Sequence, residues 1–182
     1  MEENMTRVRI ARPDEFEQVA ALYDEMVADI EHSAFDPHWN RENHPSDAFL
    51  RQAIECEQLI VCEHDGELAG ALVLDEGGAE GYEEAPWPTD AESGEASVVH
   101  VLCTLPRFQG KGLARALLKG AIDTAKQRGR RCVRLDILPD NLPAQKLYES
   151  EGFIRVADVV LTYPDGTFEA VLYERPLVGP CA

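Results

Sequence analysis

The sequence predicts a domain of mixed α/β class, in which helices flank a sheet. Its 182 residues, 45% of them hydrophobic, are enough for one domain with a hydrophobic core. Two strand-like segments separated by Asp65-Gly66 predict a β-hairpin, and residues 96–138 alternate between strand, helix and strand patterns. Because no internal repeat and no linker divides the chain, we expect residues 1–182 to form a single domain.

The first half of the chain predicts three strands and two helices. Apolar residues recur at helical spacing after Pro13, and Asp65-Gly66 is typical of a two-residue primed turn between paired strands. The predicted elements are a strand at 7–11, a helix at 13–30, a helix at 46–56, and strands at 58–64 and 67–75.

The second half predicts a β-α-β unit followed by a short helix and two strands. A strand at 96–104 and a strand at 132–138 are joined by an amphipathic helix at 111–129. Since a short helical crossover joins them, these strands should be parallel or splayed neighbours. A helix ending at Gly152 and two strands joined by residues 163–167 complete the chain.

Residues 76–95 predict a loop that is unusually long for a compact domain. The segment contains seven acidic residues and no basic one, and a proline stands on each side of Trp87. Loops of this length are either mobile or functional.

Charge is distributed unevenly along the chain. The net charge of −17 would repel a polyanion and argues against a nucleic-acid partner. Nine of the 17 lysine and arginine residues nevertheless lie between Arg107 and Arg134, where Asp123 is the only acid. A solvated helix face is the ordinary interpretation of such a basic segment.

Neither a membrane segment nor an export signal is predicted from the sequence. No window approaches the roughly 20 apolar residues that a membrane helix needs, so we expect a cytoplasmic protein without a membrane partner. Its five cysteines include no CxxC pair, which favours buried thiols over a disulfide framework or a zinc site. His32, His38 and His44 lack the spacing of metal ligands, and no metal is predicted.

The stretch PRFQGKGLARALL, residues 106–118, has features of an anion-binding turn. It is not a P-loop, because Gly112 follows the Gly-Lys pair, and Arg115 replaces the third glycine of a dinucleotide motif. What remains is QxxGxA, formed by Gln109, Gly112 and Ala114 between a strand and a helix. Small residues let an anion approach the unpaired amides of the first helical turn, although a purely structural connection would also use glycines.

A second motif lies downstream, with the pattern N-x-x-A-x-x-x-Y-x-x-x-G-F. Its residues are Asn141, Ala144, Tyr148, Gly152 and Phe153. Together with the turn and the strand before it, this motif resembles the GCN5-related N-acetyltransferase (GNAT) superfamily over residues 96–155. The resemblance implies the GNAT fold, an α/β architecture with a central, twisted, mostly antiparallel seven-stranded sheet that is flanked by helices and splayed between strands 4 and 5.

The resemblance implies acetyl-CoA as co-substrate. In the family the turn binds the pyrophosphate through backbone amides, and the pantetheine arm runs beside the preceding strand. The implied cofactor-binding residues are Leu102, Cys103, Thr104, Gln109, Gly110, Lys111, Gly112, Leu113, Ala114, Arg115, Asn141, Ala144 and Tyr148. The positive charges of Arg107, Lys111 and Arg115 would offset the negative charges of the phosphates.

By the same resemblance, Tyr148 is the general acid that protonates the departing thiolate. A phenol, with a pKa of about 10, stays protonated at neutral pH. The alternative is a core aromatic residue whose hydroxyl is hydrogen-bonded. Asn141 is expected to cap its helix, and capping alone would explain the residue type.

A general base is needed because a primary amine, with a pKa of about 10, must lose a proton. Many family members carry a strand glutamate at the position of Val98, where it is missing here. The arylalkylamine N-acetyltransferases use strand histidines instead, and one of them aligns with His100. We expect His100 to act directly or through water, with Asp136 as a candidate to orient it; a structural sheet histidine is the alternative.

Cys103 is expected to be a buried residue and not a nucleophile.

The predicted reaction is direct, sequential acetyl transfer to a primary amine, with a small molecule as the expected acceptor. A main-chain amide near Cys103 would stabilise the oxyanion. Loops 35–44 and 76–95 should flank the acceptor, and their negative charge favours a cationic amine, although 76–95 could equally be solvated surface. Acetylation of protein lysines or amino termini and a non-catalytic acyl-CoA sensor are the alternatives. Homodimers are common in the family and are possible here.

Overall fold

Seven strands and four α-helices form within residues 5–32, 36–163 and 166–177, the part of the chain that the computed structural model describes. The strands are β1 (Thr6–Ile10), β2 (Leu59–His64), β3 (Glu67–Asp75), β4 (Ala96–Thr104), β5 (Cys132–Ile137), β6 (Ile154–Tyr163) and β7 (Gly166–Pro176). The helices are α1 (Phe16–Ala28), α2 (Asp47–Glu55), α3 (Leu113–Gln127) and α4 (Leu142–Ser150). Within the described ranges, no helix has the length and apolar character that crossing a bilayer requires.

The strands form one sheet in the order β1-β2-β3-β4-β5-β7-β6. Antiparallel pairing joins β1 to β2, β2 to β3, β5 to β7 and β7 to β6, whereas β4 and β5 are parallel. The parallel register covers only Ala96↔Cys132 to Val98↔Arg134, although β4 has nine residues. The predicted mixed α/β class and mostly antiparallel seven-stranded sheet are confirmed, and the short register is what a splay at this pair requires.

The chain divides into two compact units, and β3, β4 and α3 contribute residues to both. The first unit takes its described residues from 1–74 and 100–120, and it contains β1, β2, all of β3 but Asp75, α1 and α2. Its largest fully buried side chains include Tyr23, Leu50 and Leu72. Helix α2 begins where Ser46 accepts a hydrogen bond from the Phe49 amide at 3.2 Å.

The second unit takes its described residues from 75–99 and 121–177, and it contains β5 to β7 and α4. Its buried hydrophobic cluster combines Tyr82 with four strand residues, Val98, Leu161, Ala170 and Leu172. Tyr82 comes from the predicted loop at 76–95, so this segment contributes directly to the apolar core of the unit.

Most predicted elements are confirmed with shifted ends. Asp65 and Gly66 have φ values of +52° and +84°, as the predicted primed turn requires. Helix α3 begins at Leu113 and not at residue 111, because Gly112 has a φ of +78°, which is not helical. Pro164 and Asp165, in the predicted turn between the last two strands, lie outside the described residues.

Candidate active site

The predicted anion-binding turn connects β4 to α3 within the first unit. Pro106–Phe108 form a short 3-10 helix, and Gly110 and Gly112 both follow with a φ of +78°. A Cβ at either glycine would meet no atom within 4 Å, so it is the left-handed backbone that requires glycine and not a lack of space. An α-helix leaves the N–H groups of its first turn without an intrahelical acceptor, and such groups can bind an anion.

The side chains of the turn differ in exposure. Buried Leu113 and Phe108 anchor the turn, Ala114 is half-buried, and the exposed residues are Gln109, Gly110, Lys111, Gly112 and Arg115. Arg107, expected to offset phosphate charge, forms ion pairs with Glu25 and Glu67 instead. Its charge is therefore already balanced within the first unit.

Strand β4 carries the predicted base and the residues predicted to lie beside pantetheine. Half-buried His100, Leu102 and Thr104 alternate with buried Val99, Val101 and Cys103. Val101 has a φ of +48°, which is strained for a β-branched residue. Tyr23, fully buried on α1, donates its hydroxyl to the Val101 carbonyl at 2.9 Å and so holds this irregular backbone.

Burial controls the chemistry of the cysteines. It raises the pKa of the Cys103 and Cys132 thiols to about 12 and that of Cys62 to about 11. These three thiols are neutral at physiological pH and lack the thiolate that a nucleophile needs. The prediction of buried thiols is confirmed for these residues, whereas Cys56 is exposed and Cys181 lies outside the described residues.

Helix α4 of the second unit carries the downstream motif. The Asn141 side chain accepts a hydrogen bond from the Ala144 amide at 3.3 Å, which confirms the predicted cap. Gly152, with a φ of +83°, ends the helix, and the Phe153 amide donates to the Tyr148 carbonyl at 3.0 Å. Four motif residues thus define the two ends of the helix that presents Tyr148.

Tyr148 itself lies almost entirely inside the second unit, with 7% of its surface exposed. Its ring centroid lies 5.8 Å from that of Phe153 and 6.3 Å from that of Tyr173. Burial, reinforced by the charge of Asp136, raises the pKa of Tyr148 well above its ordinary value. The phenol is therefore fully protonated at neutral pH.

Asp136 on β5 accepts a hydrogen bond from the hydroxyl of Tyr163. The sequence suggested Asp136 as a group to orient His100 and did not select Tyr163. Asp136 lies on β5 and Tyr163 on β6, and β7 stands between these strands in the sheet. Because the order of the strands differs from their order in the sequence, no spacing along the chain predicted this contact.

A buried ion pair fixes the centre of the 76–95 segment. Arg134 on β5 and Glu174 on β7 lie 2.9 Å apart, and the Glu174 carboxylate is fully buried. The Thr89 amide donates to Glu174 at 2.9 Å, and the Thr89 carbonyl accepts from Arg134 at 2.9 Å. The Arg134 guanidinium also stacks 4.4 Å from the ring centre of Trp87.

The ends of the segment are held as well. Arg130 pairs with Glu76, and Arg131 pairs with Glu95 at 3.2 Å. Arg130 and Arg131 therefore each pair with a carboxylate of the segment, and together with Arg134 they hold it at both ends and at its centre. The Trp87 indole donates to the Tyr82 carbonyl at 2.7 Å, which closes the segment on itself.

A cavity of about 490 Å³ lies in the second unit beneath this segment. Its apolar and aromatic lining includes Tyr82, Trp87 and Val98. Its charged lining comprises Glu76, Glu83, Asp90, Glu92 and Arg134. With Glu76 and Arg134 already paired, the remaining carboxylates make the cavity negative.

The loop predicted to flank the acceptor on the other side begins at Phe35, which lies outside the described residues. Its described part is tied to the helices by Arg41, which pairs with Asp24 at 2.7 Å and with Asp47. Across residues 5–32, 36–163 and 166–177, no group of three or more His, Cys, Asp or Glu side chains is arranged to hold a metal ion.

Curated relatives match part of the chain. A mycothiol acetyltransferase of Renibacterium salmoninarum is 40% identical over 70 residues, 38% of this chain and 21% of that protein. The ribosomal protein bS18-alanine N-acetyltransferase of Escherichia coli K12 is 36% identical over 74 residues, 40% of this chain and 50% of that protein. The matched stretches span half or less of these relatives.

The fold of nearly the whole chain matches that of a solved structure. The structure of yncA from Salmonella typhimurium with its cofactor acetyl-CoA superposes with a TM-score of 0.71 at 20% identity, and the match covers 98% of each chain. The Acetyltransferase (GNAT) family matches residues 24–153, well over half of the sequence. This match and the seven-stranded sheet lead to the same conclusion, that the chain belongs to the Acetyltransferase (GNAT) family.

Proposed function

We propose that the protein transfers the acetyl group of acetyl-CoA to the primary amine of a small, positively charged molecule. Membership of the family supports the reaction, and the cofactor in the related yncA structure supports acetyl-CoA as donor. The observation that carries the choice of acceptor is the acidic cavity beneath the 76–95 segment.

The cavity suits a small cation in both size and charge. Its volume of about 490 Å³ falls within the range of small-molecule sites. Glu83, Asp90 and Glu92 are exposed at its lining and have no ion-pair partner within the described part of the chain. Their field would attract a cationic amine and disfavour an anionic one. Val98, on the cavity lining, precedes the proposed base by two residues in β4.

The turn at residues 109–115 is the proposed binding site for the phosphates of acetyl-CoA. Gly110 and Gly112 leave open space beside their backbone, and a helix such as α3 offers an anion the N–H groups and the positive dipole end of its first turn. Acetyl-CoA, when bound, supplies an activated thioester. Leu102, Cys103 and Thr104 would offer main-chain groups to the pantetheine arm, and Asn141 and Ala144 would contribute from α4.

Two side chains are proposed to move protons. His100 on β4 takes a proton from the acceptor amine, directly or through water. Tyr148 donates a proton to the leaving sulfur, and its raised pKa means that the phenol carries this proton at neutral pH. A main-chain amide near Cys103 would donate to the acetyl oxygen.

Direct transfer is proposed because the candidate thiol is unreactive. The Cys103 pKa of about 12 leaves almost no thiolate at neutral pH. Mass spectrometry after incubation with acetyl-CoA alone should find no acetyl group on this residue, and stoichiometric acetyl-Cys103 would disprove direct transfer.

Acetylation of a protein amino terminus is the second candidate. It is favoured by the relative from Escherichia coli, which is named for the alanine of ribosomal protein bS18. The relative from Renibacterium salmoninarum is instead named for mycothiol, so the relatives divide between the two kinds of acceptor.

Coenzyme A release over a panel of acceptors tests the proposal. The panel should contain cationic, neutral and anionic small amines of similar size, and peptides with a free amino terminus or a lysine. We expect the highest kcat/KM for the cationic small amines. A preference for peptides would favour the second candidate, and acetyl-CoA binding without turnover on any acceptor would indicate a sensor.

Tyr148→Phe tests the proposed acid. Loss of the hydroxyl should lower kcat by about 10²- to 10⁴-fold, while the ring keeps its packing against Phe153 and Tyr173. The matched control is Tyr173→Phe, which removes a hydroxyl that contacts Gln145 and Glu149 and should leave kcat within a few-fold. A Tyr148→Phe enzyme with unchanged kcat would remove this residue from the mechanism.

A further inference from the structure

His64, the last residue of β2, is a polar side chain buried in the first unit with 3% of its surface exposed. Its Nδ1 lies 2.9 Å from Oγ1 of Thr6, its pairing partner on β1. Its ring meets the ring of Phe108 edge-on, with 5.7 Å between centroids. A buried imidazole thus contacts the base of the anion-binding turn.

The other ring nitrogen reaches the turn itself. Nε2 of His64 lies 3.3 Å from Nζ of Lys111, the residue between Gly110 and Gly112. An ammonium group only donates hydrogen bonds, so Nε2 must accept. His64 is then neutral in this contact, with its proton on Nδ1 and donated to Thr6.

We propose that His64 is a positioning residue for cofactor binding, which holds the Lys111 ammonium and thereby orders the phosphate turn. Two glycines with left-handed backbone give this turn little conformational restraint of its own. One proton of the ammonium is used by His64, which leaves two for an anion. The inference rests on the proposed binding of acetyl-CoA phosphates by the turn.

Few charges compete with Lys111 for His64. The Asp65 carboxylate is near, with its Oδ2 3.5 Å from Nε2. Glu67, the pairing partner of His64 on β3, forms an ion pair with Arg107. Thr6 and Phe108 are neutral.

A double-mutant cycle tests the contact, with coenzyme A titrated into the purified protein at pH 8 by calorimetry. His64→Leu removes the acceptor and should weaken coenzyme A binding about three- to tenfold, with KM for acetyl-CoA raised and kcat within about twofold. Lys111→Met should weaken binding at least as much. If the contact acts as proposed, the double variant is no weaker than Lys111→Met, whereas multiplied losses would overturn the inference.

His64→Gln is the conservative variant, because its side-chain oxygen accepts a hydrogen bond but does not titrate. It should retain most of the affinity of the unchanged protein at pH 8. At the same pH, His64→Leu should lose at least threefold more affinity for coenzyme A than His64→Gln does. Equal losses would overturn the inference. Failure of the unchanged protein to bind coenzyme A would contradict the proposed function as well, which makes the two failures distinguishable.

Discussion

The turn at residues 109–115 and the segment at residues 76–95 are both irregular, but they are built from different parts of the chain. The turn presents backbone amides, and its geometry depends on the left-handed backbone of Gly110 and Gly112. The segment is held by side chains, above all by Arg134 and Glu174 on two strands of the second unit. The turn should tolerate side-chain changes better than the segment does, because it presents main-chain groups. Substitution of its glycines should instead impair the turn.

The largest effect is expected at the buried ion pair. Arg134→Met leaves the Glu174 carboxylate buried without its cation and the Thr89 carbonyl without its donor. The free energy of unfolding should fall by about 3–5 kcal/mol, as measured by urea denaturation. The control is Arg155→Met, which removes an exposed pair with Asp158 and should cost less than about 1 kcal/mol. Equal costs would show that the segment does not depend on its buried pair.

A smaller effect, confined to the cofactor, is expected in the turn. Gly112→Ala forces a left-handed backbone on a residue with a Cβ, at a cost of about 1–2 kcal/mol. We expect KM for acetyl-CoA to rise by about five- to thirtyfold, because a relaxed turn would misplace its amides.

Gly129→Ala is the matched control for this strain. Gly129 follows α3 with a φ of +70° and also has open space around it. Gly129→Ala should lower the free energy of unfolding by about as much as Gly112→Ala does, without changing KM for acetyl-CoA. An unchanged KM in Gly112→Ala would mean that the turn does not bind the cofactor through its backbone.

The smallest effect, and one of opposite sign, is expected at Tyr82 in the segment. Its hydroxyl is buried and has no hydrogen-bond partner within the described part of the chain. Tyr82→Phe removes that unsatisfied group and should raise the unfolding free energy by about 1 kcal/mol. Tyr163→Phe, which deletes a hydroxyl that donates to Asp136, should instead destabilise. Thermal denaturation of both variants measures the contrast, and destabilisation by Tyr82→Phe would show that its hydroxyl is satisfied.

The two regions also differ in how far sequence could predict them. The turn is local, since its glycines, the preceding strand and the following helix are neighbours along the chain. Asn141 as a cap and Gly152 as a helix end are local in the same way, and both are confirmed. Local hydrogen bonds and backbone preferences act over a few residues, so a motif can carry them.

The segment could not be predicted in this way. Its length and acidity marked it as unusual, but Arg134 and Glu174 stand far from it in sequence. The ion pairs that balance the basic residues 130–134 are likewise long-range. The charge of Arg107, assigned to phosphate on sequence grounds, proved to be balanced by Glu25 and Glu67 for the same reason.

What the sequence by itself determined is the set of elements, because periodicity, caps and turns are short-range properties. It also carries the motifs of the family resemblance, and that resemblance implies Tyr148 as a candidate acid. Only the tertiary structure decided the register of β4 against β5, the buried Arg134–Glu174 pair and the contact between His64 and Lys111. The physical reason is that burial and charge pairing depend on which distant segments meet, and a single sequence does not specify those meetings through local pattern.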